Sequence, residues 1–152
     1  MRKIERILAP TDFSANARLA VEEAVSLASQ IGAQVHVLTV NSRSYIRQAI
    51  HEGILDANAT DETIQARTLE LTKSRLSELV MHCQCDGVDI DTYIRTGEAG
   101  VEILRFALEL PADLIVLGNY GIGGIRSGLF GSAAEKIVRK SPCPVLLIRA
   151  TE

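Results

Sequence analysis

The sequence predicts an α/β fold in which a doubly wound, mostly parallel sheet of five strands carries helices on both faces. Three observations predict it. Short aliphatic runs alternate with stretches whose apolar residues recur at helical spacing. The run Asp113-Leu114-Ile115-Val116-Leu117 has the length and aliphatic content of a strand buried on both faces. A glycine-spaced loop then follows: Gly118-Asn119-Tyr120-Gly121, nine further residues, and Gly131-Ser132 at the start of a helical pattern. A length of 152 residues with 47% hydrophobic content suits a single domain over residues 1–152, with no internal repeat in view.

The elements follow in order. Ile4 to Ala9 reads as the first strand, ended by Pro10, which has no N–H to give a ladder. Thr11-Asp12-Phe13-Ser14 forms a turn, with Ser14 placed to cap a helix. Ala17, Ala20, Val21, Ala24, Val25, Leu27 and Ala28 carry that helix to Gly32. The β-branched run Val35 to Val40 is the second strand, and Asn41-Ser42-Arg43-Ser44 breaks it. Between Tyr45 and Thr60 the pattern weakens to an irregular or short helical crossover.

From Asp61 to His82, Ile64, Leu69, Leu71, Leu76, Leu79 and Val80 mark a long amphipathic helix. Val88 to Arg95 alternates in the manner of an edge strand. Gly97 opens a loop to a helix over Val101 to Leu110, which Pro111 ends. Strand Asp113 to Leu117, the glycine loop, helix Ser132 to Lys140 and strand Val145 to Ile148 complete the chain. In such a sheet the ligand crevice lies where strand order reverses, here between the loops after strands one and four.

Composition excludes several functions. Sixteen basic against nineteen acidic residues give a net charge of −3 with no dense basic block, so no nucleic-acid partner is expected. No apolar run approaches the roughly 20 residues of a membrane span, and the N-terminus has no signal-like region, which makes cytoplasm the expected compartment. The three cysteines form no disulfide framework, and His82, Cys83 and Cys85 are too few and too crowded for a metal site, so no metal ligand is assigned.

Known phosphate motifs can be tested directly. No Gly-Lys-Ser or Gly-Lys-Thr occurs, which rules out a P-loop; counting from Gly121, the dinucleotide fingerprint fails at Arg126. What stands is G-x2-G-x9-G-S after a buried strand that ends at Leu117. Glycine lets the backbone approach a ligand at positive φ, and a helix start offers unpaired N–H groups and a positive dipole end. Gly118 and Gly121 would fold the loop over phosphates, with N–H groups of Gly131, Ser132 and Ala133 and the Ser132 hydroxyl as donors. A tight loop with Ser132 as a plain N-cap would use the same residues, and both readings stay open.

From Pro10-Thr11-Asp12-Phe13-Ser14, through Gly118-Asn119-Tyr120-Gly121, to Ser141-Pro142-Cys143-Pro144-Val145, the chain resembles a single universal stress protein domain. The resemblance implies a Rossmann-like, adenine-nucleotide-binding fold, and the glycine motif implies the ATP-binding type, with ADP or AMP also admissible. It implies that Asp12 hydrogen-bonds near the ribose or adenine, or caps the next helix with Ser14. On the same resemblance Pro10 and Thr11 would shape the pocket by backbone, and Val40 would read the adenine edge through its main chain or serve only as core. The chain departs from many relatives in having Tyr120 where they have His and Ile122 where they have a basic residue. Arg126 is the cation within the loop that could reach the phosphates, and Mg²⁺ held by phosphate oxygens and water would supply the remaining compensation.

No catalytic residue is assigned. His36 falls in a strand and His51 and His82 on or beside helices, and no positioned base or cationic clamp is visible for rapid phosphoryl transfer. A regulatory ATP-binding protein is therefore expected, with a slow ATP-hydrolysing or adenylating enzyme and a nucleotide-free interaction module as the alternatives. The aliphatic strand Val145 to Ile148 would be an exposed edge, and the resemblance implies a homodimer through it.

Overall fold

The computed structural model describes residues 2–119 and 129–149, without the side chains of 129–131. Its elements are β1 (Arg6–Pro10), α1 (Ala15–Ile31), β2 (Gln34–Asn41), α2 (Arg43–His51) and α3 (Asp61–Cys83), followed by β3 (Ile90–Thr96), α4 (Ala99–Glu109), β4 (Leu114–Gly118), α5 (Leu129–Lys140) and β5 (Val145–Ile148). The five strands form one parallel sheet in the order β3-β2-β1-β4-β5. The chain builds outward from β1 to β3, then crosses back to lay β4 on the other side of β1. Strand order thus reverses between β1 and β4, as expected for a doubly wound sheet.

Successive residues of the central strands enter opposite cores. Leu8, Leu38, Ile115 and Leu117 pack with Ile103, Phe106 and Ile137 of α4 and α5. Ile7, Val37, Leu114 and Val116 pack with Val21 and Ala24 of α1 and with Leu76 and Leu79 of α3. Both faces are covered, which is why these strands read as aliphatic runs without polar alternation. β3 lies at the edge, and its residues are only partly buried or exposed without the expected alternation.

Local signals set α1. Ser14 accepts the Ala17 N–H at 3.2 Å, and Gly32 ends the helix in the left-handed region at φ 74°. Several expected boundaries move. β1 includes Pro10, which pairs in register with Leu38. The reason is directional: Thr11 donates its N–H to the Leu38 carbonyl (2.8 Å), so the β2-facing donors of this strand lie on either side of Pro10. The β4 side is where the missing N–H matters. Pairing there stops at Leu8↔Ile115, two residues before the proline. Pro10 ends one ladder and not the strand, and it does so where the crevice opens.

Asn41-Ser42-Arg43-Ser44 is not a break. Asn41 closes β2, and Ser42 caps α2 by accepting the Tyr45 N–H at 3.1 Å, which gives the segment after Tyr45 a helical start. α4 begins at Ala99, two residues ahead of the expected Val101, and β3 begins at Ile90 instead of Val88. α5 begins at Leu129, so Gly131 and Ser132 lie inside its first turn and Ser132 is not its N-cap.

Candidate functional site

The turn after β1 is the most tightly specified part of the crevice. Thr11 Oγ1 accepts the Phe13 N–H and Asp12 Oδ1 accepts the Ser14 N–H, both at 3.0 Å. Thr39 Oγ1 donates to the Thr11 carbonyl at 2.8 Å. These bonds hold Phe13 at φ 66°, a sparsely populated conformation for a bulky residue. Thr11 and Asp12 are almost fully buried, at 1% and 3% exposure. Asp12 thus helps set the turn that leads into α1, bonding the main chain of the N-cap Ser14.

Val40 is placed by parity. Because Leu38 turns its carbonyl toward β1, Val40 turns its main-chain groups to the same side, one step beyond the last β1 pair. Its carbonyl also accepts the Ser42 N–H at 2.9 Å. Leu117 is buried core, and Gly118 ends β4 against α1. A Cβ on Gly118 would lie 2.5 Å from Asn16 Oδ1 and 2.9 Å from the Asn16 main-chain oxygen. This glycine is therefore required by packing in its own right. Just beyond it, Asn119 Oδ1 is enclosed without a hydrogen-bond partner among the described residues.

A cavity of about 710 Å³ opens at the carboxyl ends of β2 and β3, a size typical of small-molecule sites. Its walls are Asn41 to Ser44 at the start of α2 with Ile46 and Gln48 beyond, Thr96 to Gly100 at the start of α4, and Ser132 and Ala133 of α5. Two helix N-termini, those of α2 and α4, thus converge on a space that Ser132 and Ala133 of α5 also line. Each N-terminus contributes partial positive charge and N–H groups without intrahelical partners, an arrangement that suits an anion. Glu98, at the α4 N-cap, makes no side-chain capping bond and instead pairs with Lys136 of α5, Nζ to Oε2 at 3.2 Å. Gly100 keeps room for that lysine: a Cβ there would meet Lys136 Cδ at 2.9 Å.

Of the expected residues, the cavity gathers Ser132 and Ala133, while Pro10, Thr11, Asp12, Val40, Leu117 and Gly118 are not in its lining. Gly131 is in the first turn of α5 beside them. Gly121 and Arg126 lie outside the described residues. The sequence reading missed Asn41, Ser42, Arg43 and the Thr96 to Gly100 segment. A serine following a β-branched strand was the available sign of the α2 cap.

A buried polar cluster backs this wall. Thr72 of α3 donates to Asn41 Oδ1 at 2.8 Å, and Arg75 donates to the Tyr45 hydroxyl at 3.2 Å while lying 5.8 Å from the Phe13 ring centroid. The remaining titratable side chains sit elsewhere. Burial pushes the Cys83 and Cys143 thiols above their ordinary value, so neither is a ready thiolate. Burial lowers His36, against the pull of Asp91; Arg6 adds to the lowering. His36 stacks on Tyr93 at 5.7 Å and shares a 2.9 Å hydrogen bond with its hydroxyl, a structural placement. Among the described residues no group of His, Cys, Asp and Glu could hold a metal ion, and no helix is long and apolar enough to cross a membrane.

Comparison with known proteins agrees with this architecture. The universal stress protein family model matches residues 3–149. The universal stress protein YxiE of Bacillus subtilis is 30% identical over 152 residues, covering 95% of this chain and 98% of the relative. A universal stress protein solved in complex with cAMP superposes with a TM-score of 0.72 at 20% identity, covering 99% of this chain and 100% of that one. The universal stress protein of Archaeoglobus fulgidus in complex with dAMP gives a TM-score of 0.63 at 25% identity, covering 97% of this chain and 99% of that one. On the extent of these matches and the shared doubly wound sheet, the chain belongs to the universal stress protein family.

Proposed function

We propose that this chain is a single-domain, ATP-binding universal stress protein of the cytoplasm, whose nucleotide occupancy alters its conformation or its partner binding. The observation that carries the reading is the convergence of the α2 and α4 N-termini, with Ser132 and Ala133 of α5, on the 710 Å³ cavity, next to the strand exits of the crevice. Adenine would lie toward the main chain of Val40 and the turn Pro10-Thr11-Asp12. The phosphates would lie toward Gly131, Ser132 and Ala133 in the N-terminal part of α5, which follow the glycine loop of Gly118 and Gly121. Relatives crystallised with cAMP and dAMP support an adenine nucleotide as the ligand class.

Arg126 would add charge from the loop, and Mg²⁺ would bind through the phosphates. We assign no catalytic residue, so any hydrolysis would be slow against the median enzyme turnover of about 10 per second. β5 offers the dimer edge: Leu146 and Leu147 are each 42% exposed on the outermost strand. The test is mass spectrometry of ligand released from purified, acid-precipitated protein. ATP, ADP or AMP at near one equivalent per chain supports the reading. Nucleotide-free protein that also fails to take up added ATP contradicts it.

A further inference from the structure

The other edge of the sheet, β3, carries a self-complementary pattern. Val35 donates its N–H to the Asp89 carbonyl at 2.9 Å, so Asp91, Tyr93 and Arg95 turn their main-chain groups inward to β2. Ile90, Thr92, Ile94 and Thr96 therefore turn theirs outward, along the open edge. Side chains divide the same way: Tyr93 packs on Phe106 of α4 at 4.6 Å, while Ile90 and Ile94 pack into the core that contains α3.

We propose that β3 is an interface for a second copy of this chain, paired antiparallel about a two-fold axis at Tyr93. This register engages all seven strand residues. The outward main-chain groups of Thr92 meet those of the second copy's Ile94, and Ile90 meets the second copy's Thr96 in the same way. On the α4 face Asp91 stands directly opposite the second copy's Arg95, and the symmetry makes that pair twice. Both members are positioned for it: Asp91 is 66% exposed, and Arg95 is held on its face by Glu109 and by the Phe106 ring, 5.2 Å from its guanidinium.

The α3 face supplies the apolar part. A groove of about 800 Å³ runs beside β3, its apolar walls Leu69, Leu76, Val80 and Met81 of α3 and Ile90 and Ile94 of β3, interrupted by Lys73, Ser77 and Thr92. Met81 is 77% exposed. The two-fold axis brings the same groove of the second copy alongside, so that each α3 covers the other's. Self-complementary charge at one register is what selects a second copy over an unrelated strand.

The experiment uses full-length protein carrying Leu147→Arg, which blocks β5 pairing so that only the β3 edge is read. Sedimentation velocity over a concentration series should show dimers of this parent. Adding Asp91→Arg sets arginine opposite arginine, and adding Arg95→Asp sets aspartate opposite aspartate; each should weaken dimerisation about tenfold, given two reversed pairs per interface. An equimolar mixture of the two variants restores opposite charges and should form heterodimers, visible by native mass spectrometry. Far-UV circular dichroism confirms folding, and the exposed Asp91 site keeps at least one arm interpretable. A parent that stays monomeric, an Asp91→Arg protein that dimerises as well as its parent, or folded variants that fail to form heterodimers would each overturn the proposal.

Discussion

The two sides of the crevice are built differently. The β1 and β2 side is closed on itself: Thr11, Asp12, Thr39, Asn41 and Ser42 are buried, and each has a hydrogen bond to a neighbouring element or turn. The α4 and α5 side is open, with Ser132 exposed and an exposed Glu98–Lys136 ion pair at its rim. Low exposure and short internal bonds make the first side a fixed template, whereas the second holds charges that can change partners. In the proposed function the fixed side would meet the base, which is the same in every adenine nucleotide. The adjustable side would meet the phosphates, whose number varies.

The sharpest break in this contrast should come at Gly118, where the fixed side is tightest. Gly118→Ala places a methyl group against both the side chain and the main chain of Asn16, so no rotamer relieves it. We expect a loss of about 1–3 kcal/mol in urea denaturation, the usual cost of overpacking. A loss under a few tenths would mean that the β4 end is as adaptable as the far side. Next comes Thr72→Val, which keeps the shape but leaves buried Asn41 Oδ1 without its Thr72 donor. It should cost about 1–2 kcal/mol, because an unsatisfied buried acceptor is more expensive than the bond is favourable.

On the open side the expected effects are smaller and appear in binding. Glu98→Gln removes a negative charge from the cavity wall and releases Lys136, so ATP affinity should rise by about two- to fivefold with little change in stability, as befits an exposed pair. An equal rise for adenosine would show that the phosphates are not the cause.

Far from the crevice, His36 gives a pH effect of known sign. Its folded pKa is depressed by burial, so its contribution to stability is present above the ordinary value of 6.5 and is lost as pH falls toward the folded pKa. Unfolding free energies between pH 7 and 5 should decline less steeply in His36→Gln than in the wild type.

Much of the architecture was legible because it rests on local chemistry. The aliphatic runs Val35 to Val40 and Asp113 to Leu117, the Ser14 cap and the Gly32 stop each declare themselves within a few residues. What escaped depends on partners distant in sequence. Pro10 ends only the β4 ladder, which is decided by which neighbour its missing donor would have faced. Ser42 reads equally as a turn residue or a cap until α2 has packed. The Thr96 to Gly100 wall could not be joined to Ser132 without the α4–α5 packing that brings Glu98 to Lys136. At Gly118 the sequence pointed to a ligand, and the structure adds a second cause, the approach of Asn16.

The central claim is that main-chain donors at the α5 start and the glycine loop hold the phosphates of an adenine nucleotide. Isothermal titration of Mg-ATP into the wild type, Gly121→Val and Gly131→Val tests it most directly, with circular dichroism to confirm folding. The account predicts saturable binding at one site per chain, weakened at least about tenfold in each folded variant, a change of about 1.4 kcal/mol. Undiminished binding in both variants, or no binding by the wild type, would contradict it.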